Sequence, residues 1–152
     1  MTILYSALML VASWVCAKSA YPTISTFSIV ARDSKTGELG VAVQSKFVAV
    51  GSVVPYARAG IGAIASQAWG NPRYGPVGLE LLASGKSAVE AVNLMTSADP
   101  HRNSRQLAII GAEGNASVFT GSECLEWAGG KQGDHYAVQG NILTGPKVIE
   151  AM

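Results

Sequence analysis

The residues able to do chemistry are few and scattered, and each has to be weighed against a plainer role. Cys124 sits in Gly121-Ser122-Glu123-Cys124-Leu125-Glu126-Trp127. The thiolate is the reactive form, and the acids on either side of it raise a thiol's pKa. That pattern points to a structural, half-buried thiol. The other cysteine is Cys16, and two cysteines cannot build a structural zinc site. His101 lies in Asp99-Pro100-His101-Arg102-Asn103, and His135 follows Asp134 in a second turn. The two lack metal-ligand spacing and read as solvated loop histidines. A Ser-His-Asp triad gains no support, because no Gly-x-Ser-x-Gly elbow is present. Gly60-x-Gly62-x-x-Ala65 imitates a dinucleotide fingerprint. It sits inside a strand-like run instead of opening a helix, and no acidic residue follows at about the twentieth position. Those glycines read as close-packing positions. No Walker-type phosphate loop occurs, so neither a cofactor nor a metal is expected. Asn115-Ala116-Ser117 matches an N-glycosylation sequon, which matters only in a eukaryotic secretory pathway.

Such groups need elements to position them. The 152 residues make one domain's worth of chain, with 49% hydrophobic content and a formal net charge of +1. Near-neutral charge excludes a general nucleic-acid binder, which needs a basic face. The 17 glycines, with charged residues at only 14%, suggest tight turns and closely packed layers.

Thr26 to Ala31 and Leu39 to Ser45 are strand-like and flank a turn over Asp33 to Glu38, where Gly37 can take positive φ. Together they predict an antiparallel hairpin. Val48 to Val54 is apolar and reads as extended, ending at Pro55. Gly60 to Ala68 reads as a strand of small residues, which lets a neighbouring layer approach closely. The period then changes. Leu79, Leu82 and Ala83, then Ala88, Ala91, Val92 and Met95, fall at helical spacing over Gly78 to Ala83 and Ser87 to Met95. Ser87 with Glu90 forms a capping-box pattern, Gly85 separates the helices and Asp99-Pro100 ends the second. Gln106 to Gly111 and Ala116 to Thr120 predict another hairpin, Tyr136 to Gly140 a further strand, and Lys147 to Met152 a helix start. Strands, helices, strands and a helix start give an α+β fold with helices on antiparallel sheet.

Ile3 to Ala17 contains no charge. It falls short of the roughly 20 apolar residues of a membrane span and fits the apolar core of an export signal. The rival reading is a buried N-terminal strand or helix. Small residues at the first and third positions before a cut favour cleavage after Ala17 or after Ser25, and Ala20 is a poorer site. The expected organisation is therefore a signal peptide over residues 1–25, with cleavage after 17, 20 or 25, and a domain over 26–152. Such a protein is secreted or periplasmic, with no membrane span in its mature chain.

From Thr26 onward the chain, TFSIVARDSKTGELGVAVQSKFVAVGSVVPYARAGIGAIASQAWGNPRYGPVGLELLASG, resembles the opening of the domain of unknown function 1028 family. DPHRNSRQLAII, FTGSECLEWAGG and YAVQGNILTGPKVIEAM extend the resemblance to Met152. That family is similar to the N-terminal-nucleophile (Ntn) hydrolases, which implies an αββα sandwich with two antiparallel sheets. It also implies cleavage of an amide bond by a Thr, Ser or Cys at the mature N-terminus. Family chains usually continue for many tens of residues further. The resemblance therefore implies a domain incomplete at its C-terminal end, with an unpaired sheet edge through which the chain aggregates or forms a homo-oligomer.

Carried onto this sequence, the resemblance makes Thr26 the nucleophile. Its α-amine serves as base, since a free α-amino group has a pKa of about 7.7–8.0. Lys46, just past the second strand, is the cation available to tune that amine. Asn141 is a candidate oxyanion donor, and Asn71, in Gly70-Asn71-Pro72, a second. The plainer reading makes Thr26 a strand-edge residue, Lys46 a surface cation and both asparagines turn residues. The partner expected is a small amide or peptide substrate, with no nucleic acid. The alternative function is a non-catalytic secreted domain that binds a ligand or a cell-surface partner on the same fold.

Overall fold

The structure, a computed structural model, describes residues 24–152. The expected export segment lies outside these residues apart from Ile24 and Ser25, and so does Cys16.

Among the described residues, eight strands form two antiparallel four-stranded sheets. The first contains β1 (Thr26–Arg32), β2 (Leu39–Ser45), β7 (Gly129–Gly133) and β8 (Tyr136–Asn141), in the order β2-β1-β8-β7. The second contains β3 (Pro55–Arg58), β4 (Gly62–Ala68), β5 (Arg105–Gly111) and β6 (Ala116–Thr120), in that order. The sheets stack face to face. Helices α1 (Tyr74–Ala83) and α2 (Ala88–Ser97) cover the outer face of the second sheet. A single turn, α3 (Lys147–Glu150), touches β7 and β8. The fold is α+β, with two antiparallel sheets and helices packed on one of them.

The period of two along each strand divides the core into two halves. Ala63, Ala65, Ala108 and Ile110 face the first sheet and meet Val30 and Ala137. Ile64, Leu107 and Ile109 point the other way, onto Tyr74, Leu79, Val92 and Met95 of the helices. Alanines between the sheets permit close stacking, as the small-residue run predicts. The seat of α1 depends on Gly78, where an added Cβ would lie 2.5 Å from Ile64 Cδ1 and 3.2 Å from Met95 Cε. The Ser87–Glu90 capping box is complete in both directions, and the Asn115 side chain accepts a further hydrogen bond from Ala88 N at 3.0 Å. Gly37 takes φ 77° in the first hairpin.

Several local expectations are corrected. Val48 to Val54 is not extended: Val50–Ser52 is a 3₁₀ turn entered through Ala49 at φ 58°. Val50, Val53 and Val54 wall a cavity instead of alternating on a sheet, and Val48 is exposed. The strand expected from Gly60 starts at Gly62, and Gly60, at φ 70°, belongs to the turn before it. Helix α1 begins at Tyr74, four residues before the expected Gly78, since Gly75 and Pro76 hide its periodicity. Strands β3 and β7 lie at sheet edges, where neither Pro55 at a strand start nor the polar run Gly-Gly-Lys-Gln-Gly gives an alternating signal. His101 is an exposed loop residue, but His135 is half-buried, with its ring against Gly114 and its Nδ1 unpartnered.

Gly78→Val forces branched carbon between Ile64 and Met95, both deeply buried. It should lower stability by about 2 kcal/mol, read as a lower urea midpoint with an unchanged slope.

Candidate active site

Thr26 is the first residue of β1 and is held between two neighbours, with Ser45 of β2 and Asn141 of β8 as its register partners. It is buried, and its Oγ1 lies 2.9 Å from Ser45 Oγ, which also accepts a hydrogen bond from Phe47 N at 3.0 Å. Thr26 and Asn141 line one cavity of about 580 Å³ at this end of the stacked sheets. Its walls are largely apolar, from Ile24, Phe47, Val53, Val54, Trp69 and Leu125.

Behind the cavity floor runs a chain of buried amides. Ser28 donates to Gln67 Oε1 at 2.7 Å, and Gln67 Nε2 donates to Gln106 Oε1 at 2.7 Å. Asn141 Nδ2 donates to the same Gln106 oxygen at 3.1 Å. Gln106 Nε2 reaches Gly140 O at 2.8 Å and Thr120 Oγ1 at 3.0 Å. Gln139 Nε2 bridges to Ala65 O at 2.9 Å, while its Oε1 is buried without a partner. Amides buried this completely hold one orientation, because turning any of them orphans several partners. The network fixes Asn141 with one side-chain N–H on Gln106 and the other left over.

A second polar cluster holds the cavity's far wall. Asp99, buried at the end of α2, accepts from His101 N at 2.8 Å, Arg105 Nε at 3.0 Å, Tyr74 OH at 3.0 Å and Asn71 Nδ2 at 3.1 Å. Burial alone would raise its pKa. The hydrogen bonds, led by that from the His101 backbone, outweigh it and hold the carboxyl well below the usual range. Tyr74 is pushed upward, first by burial and then by its bond to Asp99. Arg105 also donates to Trp69 O, which ties down the segment of the Trp69, Gly70 and Pro72 wall.

The structure brings Thr26 and Asn141 together and leaves the other two candidates apart. Asn71 lies beside the cavity wall, but its amide nitrogen is engaged by Asp99 and its Oδ1 accepts from Arg73 N. It is a positioning group for that loop. Lys46 is exposed and does not line the cavity. On β2 the odd-numbered residues are the less exposed ones, so Ser45 takes the Thr26 side and Lys46 follows the outward parity. Ser45, Gln67 and Gln106 belong to the site as well, without a sequence motif that marks them. Counting across the hairpin pairs Thr26 with Ser45; nothing local marks the glutamines, whose partners lie on other strands. Cys124 is half-buried at the cavity edge and donates to Arg105 O at 3.3 Å. Its pKa is raised by burial, not by Glu123 and Glu126. Among the described residues no group of three or more His, Cys, Asp or Glu could hold a metal.

Gln106→Met keeps most of the volume but strands the Gln67 and Asn141 N–H groups and Gly140 O. It should cost about 3 kcal/mol in denaturant unfolding. The Asp99 carboxyl titrates lower in the folded than in the unfolded chain. Its stabilisation is therefore full above the unfolded pKa of about 3.9 and is lost as pH falls below that value. Melting curves should show an acid-side fall in Tm that Asp99→Asn flattens, from a lower starting Tm.

The comparisons with known proteins agree on one family. The Family of unknown function (DUF1028) matches residues 26–152. A protein described as "Crystal structure of protein SPO2555 from Silicibacter pomeroyi, family-model DUF1028" is similar in structure, with a TM-score of 0.81 and 36% sequence identity. The alignment covers 85% of this chain and 57% of that one, so the match spans little more than half of that relative. No curated protein matches. With a family match that starts on the cavity's threonine and runs through the last strand and α3, the chain belongs to the DUF1028 family.

Proposed function

We propose that this protein is an exported amidohydrolase of the N-terminal-nucleophile type, acting on a small amide or peptide through Thr26. One observation carries the reading: the Thr26 hydroxyl opens a strand at the polar floor of an apolar cavity, beside the Asn141 amide. The two stacked antiparallel sheets with α1 and α2 outside the second correspond to three of the four layers of the αββα sandwich of those enzymes; among the described residues only the single turn α3 touches the first sheet. Export rests on the uncharged stretch from Ile3 to Ala17, and no described helix is long and apolar enough to cross a membrane.

In this mechanism Thr26 Oγ1 attacks the substrate carbonyl carbon while its proton passes to the free α-amine of the same residue. The free N–H of Asn141 donates to the oxyanion. The amine leaving group departs with the proton, and water then cleaves the acyl ester and regenerates Thr26. Ser45, at hydrogen-bond distance, orients the hydroxyl. Lys46 has no part in this scheme.

One feature favours the second reading, a non-catalytic binding domain. Ile24 and Ser25 precede Thr26 in the described chain, and the Ser25 hydroxyl donates to Ile142 O at 2.6 Å. With them attached, Thr26 nitrogen is a peptide amide and cannot act as a base. Activity therefore requires release of every residue before Thr26, by signal peptidase or by self-cleavage.

N-terminal sequencing of the exported protein should give Thr26, and its kcat/KM on amides should rise with pH through about 7–8 as the amine loses its proton. Thr26→Ala should cut hydrolysis by at least about a thousandfold, with stability changed by about 1 kcal/mol. A mature start at Lys18 with no trimming, or unchanged turnover in Thr26→Ala, overturns the enzyme in favour of the binding domain.

A further inference from the structure

The cavity has a chemical bias that names its occupant. Among the described residues, none of the side chains that line it is charged. With the residues before Thr26 still attached, so that its nitrogen is an uncharged amide, a carboxylate or ammonium entering the cavity would lose hydration without gaining an ion partner from these walls. Most of its polar atoms are already engaged inside the protein. Ser66 Oγ bonds Asn71 O, both ends of the Gln67 amide are bonded, and Ser104 Oγ bonds Glu123. On the cavity floor, spare polar capacity is left at Asn141 and at the Thr26 hydroxyl, which shares one hydrogen bond with Ser45; the exposed Trp69 indole stands at the mouth. Around them the mouth is apolar and wet: Trp69 is 74% exposed, Leu125 63% and Phe47 50%.

The chain's own leader gives the second observation. Ser25 contributes the acyl carbon of the bond before Thr26, and Ile24, one residue further back, lines this cavity. The acyl side of that internal bond therefore sets an aliphatic side chain against the same cavity. At about 580 Å³ the cavity falls within the usual range for a small-molecule site, roughly 300–1,000 Å³.

We propose that the cavity takes the uncharged, apolar acyl group of an amide, an aliphatic chain or an aromatic ring of similar size, with the amide function at Thr26 and Asn141. The word acyl rests on the hydrolase reading; the preference for an uncharged apolar group rests on the walls alone.

The test separates the two. In the full chain carrying Thr26→Ala, nothing is turned over, and calorimetry gives Kd for acetamide, butanamide, hexanamide, phenylacetamide and succinamate. Burial of each added methylene should tighten binding by about three- to fourfold. Hexanamide should therefore bind at least about tenfold tighter than acetamide, and succinamate at least about tenfold weaker than butanamide. Leu125→Asp adds charge at an exposed lining position and should flatten the chain-length gradient without moving the Tm of the free protein. Equal affinities across the series, no binding of any amide, a preference for succinamate, or a gradient that survives Leu125→Asp each overturn the proposal. Hydrolysis of hexanamide and hexanoyl anilide by the chain beginning at Thr26 is scored separately. A binding gradient without turnover leaves the apolar site standing and overturns the hydrolase. Turnover without a gradient does the reverse.

Discussion

Everything at the candidate site depends on the buried amide of Gln106. Its oxygen accepts from Gln67 on the neighbouring strand of its own sheet and from Asn141 on the facing sheet, and its nitrogen donates to Gly140 O across the same gap. A hydrogen bond tolerates only a few tenths of an ångström before it weakens. These contacts therefore fix how far apart the two sheets stand at this end. Hydrophobic packing alone would not do so, because Ala63, Ala65, Ala108 and Ala137 offer little shape to interlock. The alanines let the sheets approach, and the glutamines set where the approach stops. Thr26 and Asn141 inherit their separation from that constraint, since they are register partners on the sheet that Gln106 holds from the opposite side.

The opposite wall of the cavity is fixed by charge. Asp99 gathers groups from the Asn71 turn, from α1, from the loop after α2 and from β5, so one carboxylate joins four segments. Its ion pair with Arg105 is largely buried, and removing either partner leaves an uncompensated charge. The charges are turned away from the cavity. Arg105 points its donors at Asp99 and Trp69 O, and the cavity keeps an uncharged lining next to an ionic anchor. The two networks meet on β5, where Arg105 and Gln106 are consecutive and face opposite sides.

Local signals were legible where a short-range interaction decides the structure. The Ser87–Glu90 box, the hairpin around Gly37 and the strand Ala116–Thr120 are each closed by neighbours in the chain, and each stands where the sequence places it. Misreadings occur where a distant partner decides. Val50, Val53 and Val54 serve a cavity instead of a sheet face, and Asn71 is claimed by Asp99. Strand β7 is hidden for another reason: it pairs with its neighbour β8 across a short turn, but its glycine-rich polar run carries no alternation. Lys46 is instructive, because sequence distance from the hairpin end suggested proximity to Thr26, while strand parity assigns that proximity to Ser45. The glutamines show the limit most clearly. Gln67, Gln106 and Gln139 look like surface residues on strands, yet they are 2%, 0% and 0% exposed, because their partners come from both sheets.

The position of Thr26 at the head of β1 bears on whether this fold could tolerate loss of what precedes it. Pairing on both sides begins at Thr26 itself, opposite Ser45 and Asn141, and continues through β1 without help from earlier residues. Of the two residues described before it, Ser25 contributes one side-chain hydrogen bond to Ile142 O, and Ile24 contributes a half-exposed side chain to the cavity wall. Neither is needed to close the ladder or the amide network. Removing them would convert the Thr26 amide into an amine already held by two strands, next to a hydroxyl already oriented by Ser45. It would also widen the cavity on the side that Ile24 walls. A threonine in mid-strand would need backbone rearrangement to expose its nitrogen, whereas one at a strand's first residue requires only the cut.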